Sequence, residues 1–167
     1  VYVYTQLHHS CSMSLVSLLT AASHGAPAFS LGATIGNAIP GVPVCGSSRP
    51  PSVVLNATLP AGFAHGVLHH FWATGTRDKI DRMWVEYYLD GDAEPSISFQ
   101  PAFSCGQAFP ERMDKDEEYA AGGLCGKTAP VGGWWNSFNI PFYKNAVVTV
   151  RGDPKDGPDC FTGFVNI

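Results

Sequence analysis

The segment RMWVEYYLDG, residues 82–91, decides the fold of this chain, because its aromatic and β-branched residues are typical of a strand that ends in a turn. Asp90 and Gly91 form a dipeptide that favours the tight turn of a β-hairpin. The segment PSISF, residues 95–99, then supplies the returning strand. The sequence therefore predicts an antiparallel hairpin.

Further strand patterns lie on both sides of this hairpin. Residues 52–59 and 66–74 precede it, and residues 134–142, 146–151 and 160–167 follow it. The chain of 167 residues contains 18 Gly and 13 Pro, which favours many short strands over long helices. We expect an all-β fold, a single β-sandwich with an irregular N-terminal extension.

The body of the sandwich is expected at residues 52–167. Residues 1–51 are expected to form an N-terminal extended segment that could donate a strand, and no linker long enough to divide two domains is visible. The alternation of the strands predicts which side chains lie in the core. These are Val67, Phe71, Met83, Val85, Tyr87, Leu89, Ile97, Phe99, Val148 and Val150.

The five cysteines are Cys11, Cys45, Cys105, Cys125 and Cys160, and no two of them form a C-x-x-C pair. Disulfides are therefore favoured over a zinc or thioredoxin-type site. We favour a bond between Cys105 and Cys125, because these residues bracket a polar loop. The other pairings remain open, and the odd count leaves at least one thiol free or bonded to another chain.

Several features predict an extracellular, secreted protein. The chain begins at Val1 and not at Met, which suggests that a leader has been removed. The sequon Asn56-Ala57-Thr58 lies in a strand that places Asn56 on the outward side, so we expect a glycan on Asn56. The net charge of −4 and the lack of a basic cluster argue against nucleic acid as a partner. No apolar run reaches the ~20 residues that span a membrane.

Segments between residues 64 and 146 resemble a known enzyme family. They are AHGVLHHFWATG (64–75), VEYYLDGD (85–92) with PSI (95–97), AFSCG (102–106) and WWNSFNIPFYKNA (134–146). In this order they resemble the first jelly roll of a double-jelly-roll glycoside hydrolase family, formerly a domain of unknown function, that includes difructose-dianhydride synthase/hydrolase.

This resemblance implies a jelly-roll fold, but it does not imply catalysis. Members of the family carry two jelly rolls, and the matching segments belong to the first one. The carboxylates that the family uses for glycoside cleavage lie beyond that roll, so no residue here inherits a catalytic role. Acidic residues at 90–94 and 114–118 fall in solvated loops, which do not favour a catalytic pair. Whether the chain is an enzyme is left open, but the sequence favours a protein without catalytic activity.

Two groups of side chains are candidates for binding sites. Trp134 and Trp135 could stack on a sugar, because an aromatic face complements the C–H surface of a carbohydrate. Asp153, Asp156 and Asp159 have a spacing that could suit calcium, although an ordinary turn is favoured. No metal or cofactor is therefore expected.

The sequence leaves two functions open. We favour a non-catalytic, self-associating extracellular structural subunit, such as the protomer of a fibre or sheath, with a homo-oligomer or helical polymer as its assembly. The alternative is a secreted carbohydrate-binding or glycoside-hydrolysing domain with glycans as partners. Self-association is expected to use an alternating apolar strand at the N-terminus. Its residues are Val1, Tyr2, Val3, Tyr4 and Leu7.

Overall fold

The structure is a computed structural model that describes residues 38–46, 49–106, 119–128 and 133–167. These residues form short antiparallel strands joined by turns and by three short helices. The helices are α1 (Arg77–Ile80), α2 (Pro101–Ser104) and a 3₁₀ turn (Pro154–Asp156). The strands are β1 (Ala38–Cys45), β2 (Ser52–Thr58), β3 (Gly66–Leu68), β4 (Phe71–Gly75), β5 (Trp84–Leu89), β6 (Ile97–Phe99), β7 (Tyr119–Ala121), β8 (Cys125–Thr128), β9 (Gly133–Asn136), β10 (Ile140–Phe142), β11 (Asn145–Arg151) and β12 (Cys160–Asn166).

Two sheets pack as a sandwich. One has the strand order β1-β12-β4-β9-β8-β7, and the other has the order β2-β11-β5-β6. Both sheets contain the strand order of a jelly roll. In the first sheet the four strands concerned are β1-β12-β4-β9, and in the second sheet they are all four strands. The hairpin β7–β8 extends the first sheet, and β3 pairs with β10 as a separate ribbon. The predicted all-β jelly-roll sandwich is confirmed.

The first strand lies in the segment that the sequence assigns to the N-terminal extension. β1 pairs with β12 from Ala38 opposite Asn166 to Cys45 opposite Cys160, so it belongs to the six-stranded sheet. Its prolines, Pro40 and Pro43, hide the strand pattern in the sequence. They are tolerated because β1 is an edge strand, where a missing N–H does not break a ladder.

The core lies between the two sheets. Tyr87 and Phe71 are 1 % exposed, and Trp134 is 2 % exposed. Of the predicted core residues, Phe71, Met83, Val85, Tyr87, Val148 and Val150 are buried, and Leu89, Ile97 and Phe99 pack against them. The prediction is wrong for Val67, which is 47 % exposed. Val67 lies in the β3–β10 ribbon, where its neighbour Leu68 packs against the core instead.

A β-bulge explains why β2 departs from simple alternation. Leu55 lies opposite Val148 and Val53 lies opposite Thr149, so Val54 is the extra residue between them. Val54 and Leu55 are therefore both buried, although they are adjacent. Simple alternation would place Val53 on the inner side with Leu55, but Val53 is 56 % exposed.

The predicted hairpin pairs β5 with β6, and Tyr87 lies opposite Ile97. Its turn holds Asp90 at φ 58° and Gly91 at φ 94°, backbone angles that Gly adopts freely and that Asp tolerates. The Asp90 carboxylate accepts hydrogen bonds from the backbone N–H groups of Tyr143 (2.7 Å) and Lys144 (2.6 Å). The hairpin turn is thereby joined to the turn between β10 and β11.

These bonds make the turn sensitive to acid. Partial desolvation acts to raise the pKa of Asp90, but the backbone N–H groups of Tyr143, Lys144 and Asn145 together lower it below its ordinary value of 3.8. A lowered pKa in the folded state stabilises the protein at pH values above the unfolded pKa. This contribution is lost as the pH falls through the folded pKa.

We therefore expect Asp90→Asn to lower the free energy of unfolding at neutral pH, because the neutral amide is a poorer acceptor than the carboxylate. The difference between the two proteins should shrink as the pH falls from 3.8 through the lowered pKa of the folded state, below which the wild-type carboxyl is also neutral. Urea denaturation at a series of pH values measures both curves. A difference that stayed constant with pH would contradict this role of Asp90.

Candidate functional site

An ion pair lies on the outward side of the four-stranded sheet. Alternation along β5 and β11 turns Glu86 and Arg151 away from the core, yet Glu86 is only 6 % exposed. Its carboxylate accepts hydrogen bonds from Arg151 Nε (2.9 Å), the Tyr88 hydroxyl (3.2 Å) and the Thr149 hydroxyl (3.4 Å). Neighbouring side chains therefore shield and satisfy a charge that sits on an outer sheet face.

Two neighbours of Glu86 respond to its charge. Partial desolvation, and then the negative charge and hydrogen bond of Glu86, raise the pKa of Tyr88, so the phenol keeps its proton and donates it. The Arg151 guanidinium lies 5.1 Å from the centre of the Trp84 ring, within the range of a cation–π contact. Glu86 and Trp84 together fix the position of Arg151.

A groove of about 780 Å³ opens beside this cluster, and we call it the Trp84 groove. Its volume falls within the range of small-molecule sites. Its lining comes from β5, β6, β11, α2, the 3₁₀ turn and the residues that adjoin them. The lining residues are Trp84, Ser98, Phe99, Gln100, Phe103, Ser104, Arg151, Asp153, Pro154 and Lys155.

The Trp84 groove mixes apolar surface with hydrogen-bonding groups of both kinds. Phe103 is 62 % exposed at its edge. Gln100 donates from Nε2 to the Arg82 carbonyl (2.9 Å), which orients its amide. The Asp153 carboxylate accepts from the backbone N–H of Lys155 (2.9 Å). Aromatic faces with fixed donors and acceptors suit a ligand that carries many hydroxyl groups.

The three aspartates considered for calcium do not converge. Asp153 accepts from Lys155, Asp156 forms an ion pair with Arg82 (2.9 Å), and Asp159 lies 3.8 Å from Lys79. Each carboxylate thus has a different partner. Within the described ranges, no group of three or more His, Cys, Asp and Glu side chains is placed to hold a metal ion.

The two adjacent tryptophans lie on opposite sides of β9. Trp134 is 2 % exposed in the core, and its Nε1 donates to Asp81 (2.6 Å), so it is placed away from any sugar-stacking surface. Trp135 is half-buried and faces outward. Of the two candidates for stacking, only Trp135 lies at a surface.

Trp134 belongs to a buried charged cluster that the sequence does not reveal. Lys127 Nζ lies 3.2 Å from Asp81 Oδ1 and 5.4 Å from the centre of the Trp134 ring. Asp81 is 4 % exposed and Lys127 is 5 % exposed. Since the two residues are 46 positions apart, only the sheet register brings them together. Both groups are satisfied internally, so the cluster is structural.

The outward side of the six-stranded sheet has a different character. Trp72 lies opposite both Trp135 and Asn166, and Phe164 on β12 is 46 % exposed. None of the outward positions on its described strands carries a charge. We call this surface the uncharged face. Its residues are Pro43, Trp72, Thr74, Ala120, Gly126, Thr128, Gly133, Trp135, Thr162, Phe164 and Asn166.

Glycine lets the aromatic rings of the uncharged face lie close to the backbone. A Cβ atom added at Gly133 would stand 2.6 Å from Nε1 of Trp72. The Trp72 indole therefore occupies the space that a side chain at position 133 would need. A larger residue at position 133 would therefore displace the Trp72 ring.

Two disulfides join distant parts of the chain. Cys45–Cys160 connects β1 to β12, and Cys105–Cys125 connects the end of α2 to the start of β8. The second is the pair that the sequence favours. Cys11 and the proposed self-association residues, Val1, Tyr2, Val3, Tyr4 and Leu7, lie outside the described residues.

Asn56 is exposed on β2, opposite Val147 on β11, so the structure leaves room for a glycan there. In the part of the chain that the structure describes, no helix is long and apolar enough to cross a membrane. Comparisons with models of known protein families and with curated proteins find no match to this chain.

The Asp81 cluster gives a direct test of the core. Asp81→Ala should lower the free energy of unfolding by ~3–5 kcal/mol, because it leaves the Lys127 ammonium buried without its partner. Urea denaturation measures the loss. The matched control is Asp159→Ala, which removes a largely exposed partner of Lys79 and should change stability by at most ~1 kcal/mol. Equal losses in the two variants would contradict a structural role for the cluster.

Proposed function

We propose that the chain is a non-catalytic, self-associating extracellular structural subunit, whose copies pack through the uncharged face. The observation that carries this proposal is the lack of charge across the outward positions of the six-stranded sheet. Centres of protein interfaces are poor in charge and rich in aromatic residues, as this face is with Trp72, Trp135 and Phe164. The outward side of the other sheet carries Glu86 and Arg151 instead.

A second copy is the occupant that we propose for the uncharged face. The resemblance described above is to one roll of a two-roll architecture, in which a second roll covers part of the first. A second copy of the roll described here can supply the equivalent cover. The two disulfides are compatible with an extracellular location.

The carboxylates that lie buried in the described strands and turns support a non-catalytic role. Asp81 is engaged by Lys127 and Trp134, and Glu86 by Arg151, Tyr88 and Thr149. A glycosidase needs two carboxyl groups that face a substrate across a site. These two are instead turned toward internal partners.

Strand donation by residues 1–7 is the proposed route from pairs of copies to a polymer. The donated strand needs a free edge strand to pair with. The edge strands of the described sheets differ in length and in proline content. β1 carries Pro40 and Pro43, and β6 and β7 have three residues each. β2 is an edge strand of seven residues without proline, so it is the best acceptor.

A second candidate function is carbohydrate binding, and the Trp84 groove is the observation that favours it. Its aromatic and polar lining suits a sugar. A screen of oligosaccharides for binding and for release of products separates the candidates. Released product would contradict the non-catalytic role.

Phe164→Glu tests the uncharged face. A carboxylate at this exposed position would be buried against a second copy without a partner, so association should weaken at least about tenfold, which corresponds to ~1.4 kcal/mol. Sedimentation velocity over a range of concentrations measures the assembly. Leu124→Glu is the matched control, because Leu124 is 56 % exposed in the turn between β7 and β8. Wild-type assembly in Phe164→Glu, or a wild-type chain that stays monomeric, would refute the proposed interface.

Deletion of residues 1–7 tests strand donation separately. The shortened chain should remain folded, because the sandwich described here begins at Ala38, and it should lose the higher polymer. Electron microscopy of both proteins gives the result. If the shortened chain forms the same fibre, then strand donation is the wrong mechanism, whereas the pairing of faces is left intact.

A further inference from the structure

The Trp84 groove and Asn56 lie on the same side of the same sheet. Asn56 on β2 is directly opposite Val147 on β11, so both side chains point to one face. Along β11, Val147 and Arg151 are four residues apart and share that face by the alternation of a strand. Arg151 in turn lies opposite Trp84. The sequon and the groove are thus two ends of one surface.

The distance between Asn56 and the Trp84 groove is short. Four residues of β11 cover about 13 Å, and one strand spacing adds about 4.8 Å sideways, so Asn56 and Arg151 are about 14 Å apart along the sheet. A branched N-linked oligosaccharide spans such a distance. The reducing end would sit on Asn56 and the distal sugars would arrive at the groove.

The surface between the two ends suits a sugar chain. Val53, which is 56 % exposed, lies opposite Thr149, and Tyr88 lies opposite Val147. Glu86 lies in the same region, but its carboxylate is buried beneath its hydrogen-bond partners. A glycan would meet apolar and hydroxyl groups along this path, and it would cover the exposed Val53.

The chemistry of the Trp84 groove identifies the ligand class as a polyhydroxyl compound of low charge. Arg151 is balanced by Glu86, which leaves Lys155 and Asp153 as one charge of each sign. A polyanion would gain little from this balance. Ser98 and Gln100 add neutral groups, and Phe103 with Trp84 provides apolar faces.

We propose that the Trp84 groove holds the distal sugars of the glycan attached to Asn56, so that this glycan lies along the outer side of the four-stranded sheet. The proposal names the modification, its path and its docking site. It rests on the extracellular location proposed above and not on self-association.

The first test is the modification itself. The chain is secreted from eukaryotic cells, and glycopeptide mass spectrometry reads position 56, with Asn56→Gln as the unmodified reference. We expect a glycan on Asn56. An unmodified Asn56 would overturn the inference, while the assembly measured with Phe164→Glu would still decide the proposed function.

The second test is the docking of the distal sugars. Exoglycosidase trimming of the native glycoprotein is followed by mass spectrometry for the wild type and for the double variant Phe103→Ala/Lys155→Ala. Both residues are exposed at the groove, so the variant should keep its fold. Since only undocked sugars are trimmed, loss of a docked majority should speed the reaction about tenfold.

A double variant at another exposed site is the matched control. Tyr143→Ala/Lys144→Ala removes the same kinds of side chain between β10 and β11. It should be trimmed at the wild-type rate, and all three glycoproteins should be trimmed equally after denaturation. Equal native rates for the wild type and the groove variant would show that the glycan does not dock there.

Discussion

The buried charge of Asp81 is the constraint on which the arrangement of the two sheets depends. Asp81 follows α1, in the connection that leaves β4 in one sheet and enters β5 in the other. A carboxylate at 4 % exposure must be neutralised and hydrogen-bonded, since burial of an unpaired charge costs several kcal/mol. Lys127 on β8 and Trp134 on β9 do this. The crossover between the sheets is therefore fixed to the six-stranded sheet.

The same principle acts on the outer side of the other sheet, with a different result. Glu86 and Arg151 pair across β5 and β11, and Arg151 rests on Trp84. Arg151 lines the Trp84 groove, and its ion pair with Glu86 holds the guanidinium in place there. One ion pair thus secures the crossover, and the other borders the Trp84 groove.

The sequence predicts the fold well because strand alternation and turn residues are local signals. The hairpin at Asp90 and Gly91 and most of the core follow from them. The prediction fails at β1, where Pro40 and Pro43 conceal an edge strand. It also fails at Val53, because a bulge in β2 turns this side chain outward. Neither failure can be seen without the partner strand.

The candidate sites are harder to predict for the same reason. The pairs Asp81–Lys127 and Glu86–Arg151 join residues 46 and 65 positions apart, and only the sheet register brings them together. The sequence does contain the clue that Glu86 and Arg151 stand in strands that are otherwise rich in aromatic and β-branched residues. It does not contain the identity of their partners, and so the Trp84 groove is invisible until the strands are aligned.

The disulfides have a consequence for proteolysis. Cys45–Cys160 spans 115 positions and encloses Cys105–Cys125, which spans 20. A single cut of the backbone between Cys105 and Cys125 would leave two fragments that are still joined by both bonds. The two fragments would separate only after reduction of both bonds, and each sheet would keep strands from both fragments. In the extracellular location proposed above, where proteases are present, a nick in this interval would leave the sandwich covalently whole.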